Sequence, residues 1–135
     1  MFILMIFVSL FSNCSSERKD SQPVMTVEFD IFSGKPNPTW VLSKEESLEL
    51  TDLLKDLPPA NMPTDESGLG YRGFLLSNPE MMGGLPSVIH IYKGVVEMKG
   101  NHIQYYQDAH GVEHKLLQQA SQRGYKDIVD GLLKE

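Results

Sequence analysis

The chain has 135 residues, of which 41% are hydrophobic, and its 18 acidic and 12 basic side chains leave a net charge of −6 at pH 7. This length supports one hydrophobic core and therefore a single domain. The negative charge, with no basic run beyond Arg18 and Lys19, argues against a nucleic-acid-binding surface.

The amino terminus predicts a lipid anchor. Residues 1–12, MFILMIFVSLFS, are apolar but too short to cross a bilayer as a helix, which is typical of a signal peptide. Cys14 is the only cysteine, so no internal disulfide can form. The run LFSNCSS resembles a bacterial lipoprotein signal, although Asn13 stands where a small residue is usual and the positively charged start is absent.

We therefore expect a signal peptide over residues 1–13 and an acylated Cys14, carrying chains such as palmitate, followed by a polar tether over residues 14–23. This arrangement would place the protein on a membrane of the bacterial cell envelope, facing the periplasm or the exterior. An uncleaved leader or a secretory signal without lipid remains the alternative.

The first half of the folded part predicts two or three strands and one helix. Residues 24–32 alternate between apolar and polar side chains, as in a half-buried strand, and place Glu28 and Asp30 on its polar face. Residues 40–42 and 74–77 favour further short strands. Ser43 and Glu46 form a capping box that predicts a helix ending before Pro58. The apolar face of that helix consists of Leu50, Leu53, Leu54 and Leu57.

The second half predicts a strand, a hairpin and carboxyl-terminal helices. Residues 87–92 favour a strand, and residues 95–99 and 102–106 favour a hairpin with a two-residue loop at Gly100 and Asn101. That register pairs Met98 with Ile103 and Val96 with Tyr105. We expect Asp108 to cap a helix over residues 109–123, with Gly124 as its end. Residues 24–135 are thus predicted to form one α+β domain, with an antiparallel sheet of four or five strands and helices on one face.

Two sequence patterns suggest chemistry that their surroundings do not support. His110, Glu113 and His114 match the H-x-x-E-H zinc motif, but a suitable third ligand is missing, and a solvated helical turn explains them. Residues 68–73 match G-x-G-x-x-G without the preceding strand and following helix that nucleotide binding requires. We therefore expect no metal and no cofactor. The carboxylates of Glu28 and Asp30 could hold a cation or act as an acid and base pair, or simply form a solvated strand face.

The most unusual stretch is the loop SGKPNPTW at residues 33–40. Two X-Pro bonds two residues apart restrict its backbone, so the loop is predicted to be rigid. A rigid loop that carries a lysine, an amide and an indole can present ligand-binding groups. It can equally reverse the chain and place Trp40 in the core.

The stretches FDIFSGKPNPTW (residues 29–40) and GLGYRGF (residues 68–74) resemble a family of small, uncharacterised, mostly bacterial proteins. The resemblance implies a common domain but no activity, and it supports treating both loops as one site. The predicted ligand-binding residues of this site are Asp30, Ser33, Lys35, Asn37, Trp40, Tyr71 and Arg72.

Three functions remain open at this point. We expect a lipid-anchored envelope protein that binds a ligand or a partner protein through residues 33–40 and 68–74, and that is more a binding domain than an enzyme. The first alternative is a small hydrolase with Asp30 and Arg72 in a cleft beside Trp40. The second is a structural component of the envelope.

Overall fold

A computed structural model describes residues 23–63 and 70–134 of the chain. The predicted signal peptide, Cys14 and the tether up to residue 22 lie outside the described residues. The strands are β1 (Thr26–Phe29), β2 (Thr39–Val41), β3 (Phe74–Ser77), β4 (Val88–Tyr92), β5 (Val95–Lys99) and β6 (Ile103–Gln107). The helices are α1 (Lys44–Leu53), α2 (Val112–Ala120) and α3 (Lys126–Leu132), with a 3-10 turn at Met82–Gly84 and a π-turn at Ser121–Tyr125.

The strands form one antiparallel sheet in the order β2-β1-β3-β4-β5-β6. The predicted α+β class and antiparallel sheet are confirmed, but the sheet has six strands rather than four or five. One reason for the higher strand number is β2, whose three residues pair with β1 and add a strand at the edge of the sheet. In the part of the chain that the structure describes, no helix is long and apolar enough to cross a membrane.

One face of the sheet carries the core. The alternation predicted for β1 is confirmed, because Met25, Val27 and Phe29 are fully buried. Each strand adds its own apolar residues to the same face, and helices α1, α2 and α3 pack onto it through Leu50, Leu116 and Val129. Because side chains alternate along a strand, the residues between these positions point to the other face, which we call the open face.

The predicted capping box forms, whereas the helix predicted over residues 109–123 spans Val112–Ala120 and has Gly111 rather than Asp108 as its N-cap residue. The hydroxyl of Ser43 accepts the N–H of Glu46, and the carboxylate of Glu46 accepts the N–H of Ser43, as in a capping box. Asp108 accepts the N–H groups of Val112 and Glu113. The helix begins at Val112 and not at residue 109, because Gly111 has φ 73°, outside the helical region.

The predicted hairpin register is wrong by one residue. Lys99 pairs with Ile103, so the loop has three residues, and Glu97 rather than Val96 lies opposite Tyr105. A two-residue hairpin turn requires a positive φ at its first or both central residues, and Gly100 and Asn101 are not among the positive-φ residues. Since a slip of one residue exchanges the two faces of a strand, Tyr105 points to the open face and Tyr106 packs against the core.

The two ends of the sheet differ in what they carry. At one end, which we call the Pro23 end, the row Val41, Thr26, Ser77, Val88, Lys99 and Ile103 crosses the sheet. At the opposite end, which we call the loop end, lie residues 30–38, residues 70–73 and the β4–β5 turn. Six of the seven predicted site residues therefore lie at the loop end, and the seventh, Trp40, lies in β2.

Candidate functional site

Asn37 is the centre of the loop at residues 33–40. Its Oδ1 accepts the main-chain N–H groups of Ile31 and Phe32 at 3.1 and 2.8 Å, and its Nδ2 donates to Glu28 and Asp30 at 2.9 and 3.0 Å. An amide can accept two hydrogen bonds and donate two. Asn37 therefore uses its whole capacity inside the protein, and the shared face predicted for Glu28 and Asp30 serves to hold this amide.

Arg72 joins the second loop to the first. Its Nε and Nη2 donate to one carboxylate oxygen of Asp30 at 3.1 and 2.6 Å, and Nη2 also donates to the carbonyl of Phe32. Its Nη1 donates to the hydroxyl of Ser33 and to the carbonyl of Gly70. The hydrogen bond to Asp30 raises the pKa of the guanidinium group above its ordinary value. The two loops thus form one polar network, as the sequence predicts. The hydrogen-bonding groups of this network are paired with one another.

Trp40 does not lie beside Asp30 and Arg72. It pairs with Val27 across β1 and β2, and so it points to the core face. There its Nε1 donates to Gln119 at 3.2 Å, its ring meets Phe74 edge to face, and the guanidinium of Arg123 lies 5.4 Å from the ring centre. The pairing thus places Trp40 on the other face of the sheet from the polar network, which is not the arrangement that the hydrolase hypothesis assumes.

Tyr71 and Lys35 occupy the rim of the loop end. The hydroxyl of Tyr71 donates to Glu113 at 2.6 Å, and burial followed by the hydrogen bond and charge of Glu113 strongly raises the pKa of this phenol. Tyr71 therefore stays protonated and joins its loop to α2. The ammonium group of Lys35 lies over the ring of Phe32 at 3.9 Å, on an exposed part of the loop.

The acidic residue of the H-x-x-E-H pattern has a structural role. Glu113 also accepts the N–H groups of Lys93 and Gly94 at 3.2 and 2.9 Å, so it connects α2 to the β4–β5 turn. His110 precedes the helix and lies 2.8 Å from the carbonyl of Leu53. Residues 23–63 and 70–134 contain no group of three or more His, Cys, Asp or Glu residues that could hold a metal ion. Of the G-x-G-x-x-G pattern, residues 68 and 69 lie outside the described residues.

A cavity on the open face adjoins this network. It has a volume of about 220 Å³ and is lined by residues of β4, β5 and β6 and of the segment after α1: His90, Tyr92, Val95, Glu97, Tyr105, Met62 and Pro63. The segment after α1 reaches this place because it pairs with the edge of β6, where the N–H of Ala60 donates to the carbonyl of Tyr105 at 2.9 Å. Aromatic rings, a carboxylate and an imidazole thus converge on one concave surface.

His90 connects the cavity to the polar network. Its Nε2 lies 2.8 Å from the main-chain carbonyl of Arg72, and because a carbonyl only accepts, Nε2 carries the proton. In the neutral ring Nδ1 is then an acceptor, and it lies 3.8 Å from the carboxylate of Glu97, which also meets Lys99 at 3.4 Å. The ring of His90 stacks on Tyr92 with 24° between the planes.

None of the sequence patterns indicates this cavity. The alternation of β4 places His90 and Tyr92 on the face away from the core, but the predicted hairpin register puts Tyr105 in the core and Gln104 beside Glu97. A three-residue hairpin loop would have brought Glu97, Tyr105 and His90 into one row. The sequence therefore allows this row to be predicted, but only if the turn type of the hairpin is known, and the pair Gly100-Asn101 does not determine it.

Fold and site together define a small α+β domain with a six-stranded antiparallel sheet, helices on one face and an aromatic, acidic cavity on the other. Comparison with protein-family models, with curated proteins and with solved structures found no significant match for this chain.

Proposed function

We propose that this protein is a lipid-anchored binding protein of the bacterial cell envelope and that its open-face cavity holds one sugar ring of a larger molecule. The observation that supports a binding site here is the connection between the two loops and the cavity. The network of Asn37, Asp30 and Arg72 ends at the carbonyl that sets the orientation and the tautomer of His90. In this proposal the loops at residues 33–40 and 70–74 position the site rather than contact the ligand.

The chemistry of the cavity favours a saccharide. One face of a sugar ring exposes C–H groups that pack on an aromatic ring, and Tyr92 and Tyr105 offer such rings. The hydroxyl groups on its rim need hydrogen-bond partners, which Glu97 and Nδ1 of His90 supply. The volume of about 220 Å³ is below the roughly 300 to 1,000 Å³ of pockets that enclose drug-sized ligands, so only one ring fits.

The test is saturation-transfer NMR with a panel of neutral and N-acetylated monosaccharides, free amino acids and small ammonium ions. We expect ring protons of at least one sugar to receive magnetisation. Glu97→Ala and Tyr105→Ala should each weaken this binding by about tenfold or more, the loss expected when a buried hydrogen bond or an aromatic contact is removed.

The matched control is Gln122→Ala, because Gln122 is exposed on the side of the sheet that the helices cover. It should leave the signal unchanged. Binding of ammonium ions alone, or sugar binding that survives both cavity variants, would contradict the saccharide site.

A further inference from the structure

Apolar side chains are exposed at the Pro23 end of the sheet. Val41, Met81 and Ile103 are 63%, 61% and 56% exposed, and they make up half of the large hydrophobic residues that are exposed in the described part of the chain. Val41 and Ile103 lie on the two outermost strands, β2 and β6, so they are about five strand spacings, or roughly 24 Å, apart. Met81 belongs to the loop between β3 and β4, on the helix side.

A second cavity opens at the same end. It has a volume of about 480 Å³ and lies between the β3–β4 loop and the β5–β6 hairpin. Apolar side chains form much of its wall: Met81, Leu85, Pro86, Met98 and Tyr106. Methionine side chains adapt to irregular apolar partners. This end of the molecule thus combines exposed apolar side chains with a cavity whose wall is partly apolar and partly polar, the polar part formed by Asn101, His102 and Gln104.

The described chain also begins at this end. Pro23 leads into β1, whose first residue, Thr26, belongs to the same row as Val41 and Ile103. Cys14 lies nine residues before Pro23, and nine residues span at most about 32 Å when fully extended. A lipid on Cys14 would therefore keep the Pro23 end within this distance of the bilayer.

We infer that the Pro23 end docks onto the surface of the lipid bilayer, with Met81 and Ile103 entering the interface and an acyl chain reaching the methionine-lined cavity. The inference rests on the lipid anchor of the proposed function. A tether makes docking intramolecular, so that weak contacts suffice. In this orientation the loop end points away from the membrane, and the cavity of the open face, which lies toward that end, remains accessible to a ligand.

Charge does not provide the attraction. With a net charge of −6, the protein is repelled by anionic lipids, and the Pro23 end carries Lys99 together with Glu80 rather than a basic patch. Docking is therefore expected on neutral phosphatidylcholine and to persist at high salt, because salt screens charges but not apolar burial.

The test is paramagnetic broadening of backbone amide signals in phosphatidylcholine nanodiscs that contain spin-labelled lipid. The protein is purified from its membranes and reconstituted, and each signal is compared with the same sample after the label is reduced. We expect loss of the amide signals of residues 80–84 and 100–103, and retention of those of residues 33–35 and 93–94 at the loop end.

The double variant Met81→Asp, Ile103→Asp should sharply reduce this difference, because the tether alone holds the Pro23 end near the bilayer without fixing the orientation of the domain. Leu133→Asp, which adds one negative charge at another exposed apolar residue, 64% exposed, should preserve it. Equal broadening at both ends in the unmodified protein would overturn the inference.

The anchor and the docking surface can fail separately. Mass spectrometry of the purified protein shows whether Cys14 carries lipid. If its thiol is free, the anchor proposal fails, and the same thiol, the only one in the chain, can be coupled to a maleimide lipid. The broadening experiment then tests docking by itself, with the same expected and contradicting outcomes.

Discussion

At the scale of single residues, Asn37 shows how an apparent ligand-binding group can serve the fold. The amide looks available in the sequence because it lies between two prolines in a turn. In the structure it accepts two main-chain N–H groups and donates to two carboxylates. A residue with no remaining hydrogen-bonding capacity cannot gain a ligand without losing an internal partner.

We predict that Asn37→Ala lowers the free energy of unfolding by about 3 kcal/mol. The substitution leaves the N–H groups of Ile31 and Phe32 without their acceptor and separates the loop from Glu28 and Asp30, and each unsatisfied group costs about 1 to 3 kcal/mol. Denaturant unfolding at pH 7 measures the change. Asn101→Ala, in the exposed hairpin loop, is the control and should stay within about 0.5 kcal/mol. A loss below about 1 kcal/mol at Asn37 would mean that its amide is not needed by the fold.

At the scale of elements, an ion pair joins the first turn of α1 to the π-turn after α2. Nη2 of Arg123 lies 3.2 Å from both carboxylate oxygens of Glu46, and the guanidinium also covers Trp40. Desolvation acts to raise the pKa of Glu46, but the N–H of Ser43 and the guanidinium of Arg123 outweigh it, so the pKa is lowered. The contact links the helical layer to the edge strand that carries Trp40.

We predict that Glu46→Gln costs about 1 kcal/mol of stability at pH 7 and almost nothing near pH 3. Because the pKa of Glu46 is lowered in the folded state, its contribution is complete above the unfolded-state pKa of about 4.3 and is lost as the pH falls through the folded-state value. Glutamine keeps the capping hydrogen bond and removes only the charge.

The matched control for this pH series is Glu45→Gln, in the same helical turn but exposed. Urea unfolding between pH 3 and pH 8 should separate the two variants only at the higher pH values. The ion pair would be unimportant if the two variants lost the same stability throughout.

At the scale of the whole molecule, the two ends of the sheet suggest a division of roles. The rigid loops and the open-face cavity lie toward the end opposite Pro23, whereas exposed apolar side chains and the methionine-lined cavity lie at the Pro23 end. Antiparallel strands of similar length produce this separation, because every turn must lie at one end or the other. With a membrane anchor at Cys14, the Pro23 end would face the bilayer and the loop end would be free to meet a ligand.

We predict that Cys14→Ala moves the protein from the membrane fraction to the soluble fraction and removes the acyl mass from the mature chain. Without acyl chains, the buried methylene groups that hold the protein on a bilayer are missing. Cell fractionation and intact-protein mass spectrometry measure both effects. Asn13→Ala, which restores the small residue usual before a lipidated cysteine, should remain anchored. An unmodified protein that carries no lipid would contradict the anchor.

Sequence patterns determined the local features of this protein. Three such features are the alternation in β1, the capping box of α1 and the hydrogen bonds of Asp108 to the start of α2. Each depends only on neighbours within a few residues, so it can be predicted from the sequence alone. The joining of residues 33–40 with residues 70–73 was also expected, although only through a resemblance, and the structure brings Asp30, Asn37 and Arg72 together.

Only the tertiary structure decided on which face Tyr105 and Trp40 lie and which polar groups remain available. The hairpin register depends on a turn whose conformation the sequence leaves open, and one residue of slip moved Tyr105 to the cavity. Trp40 and Asp30 are close in sequence, yet the pairing of β2 with β1 places Trp40 on the core face, while Asp30 joins Asn37 and Arg72 in the polar network. Hydrogen-bonding groups are taken by partners far along the chain, 42 residues apart for Arg72 and Asp30 and 79 residues apart for Trp40 and Gln119, and no local sequence pattern indicates such pairs.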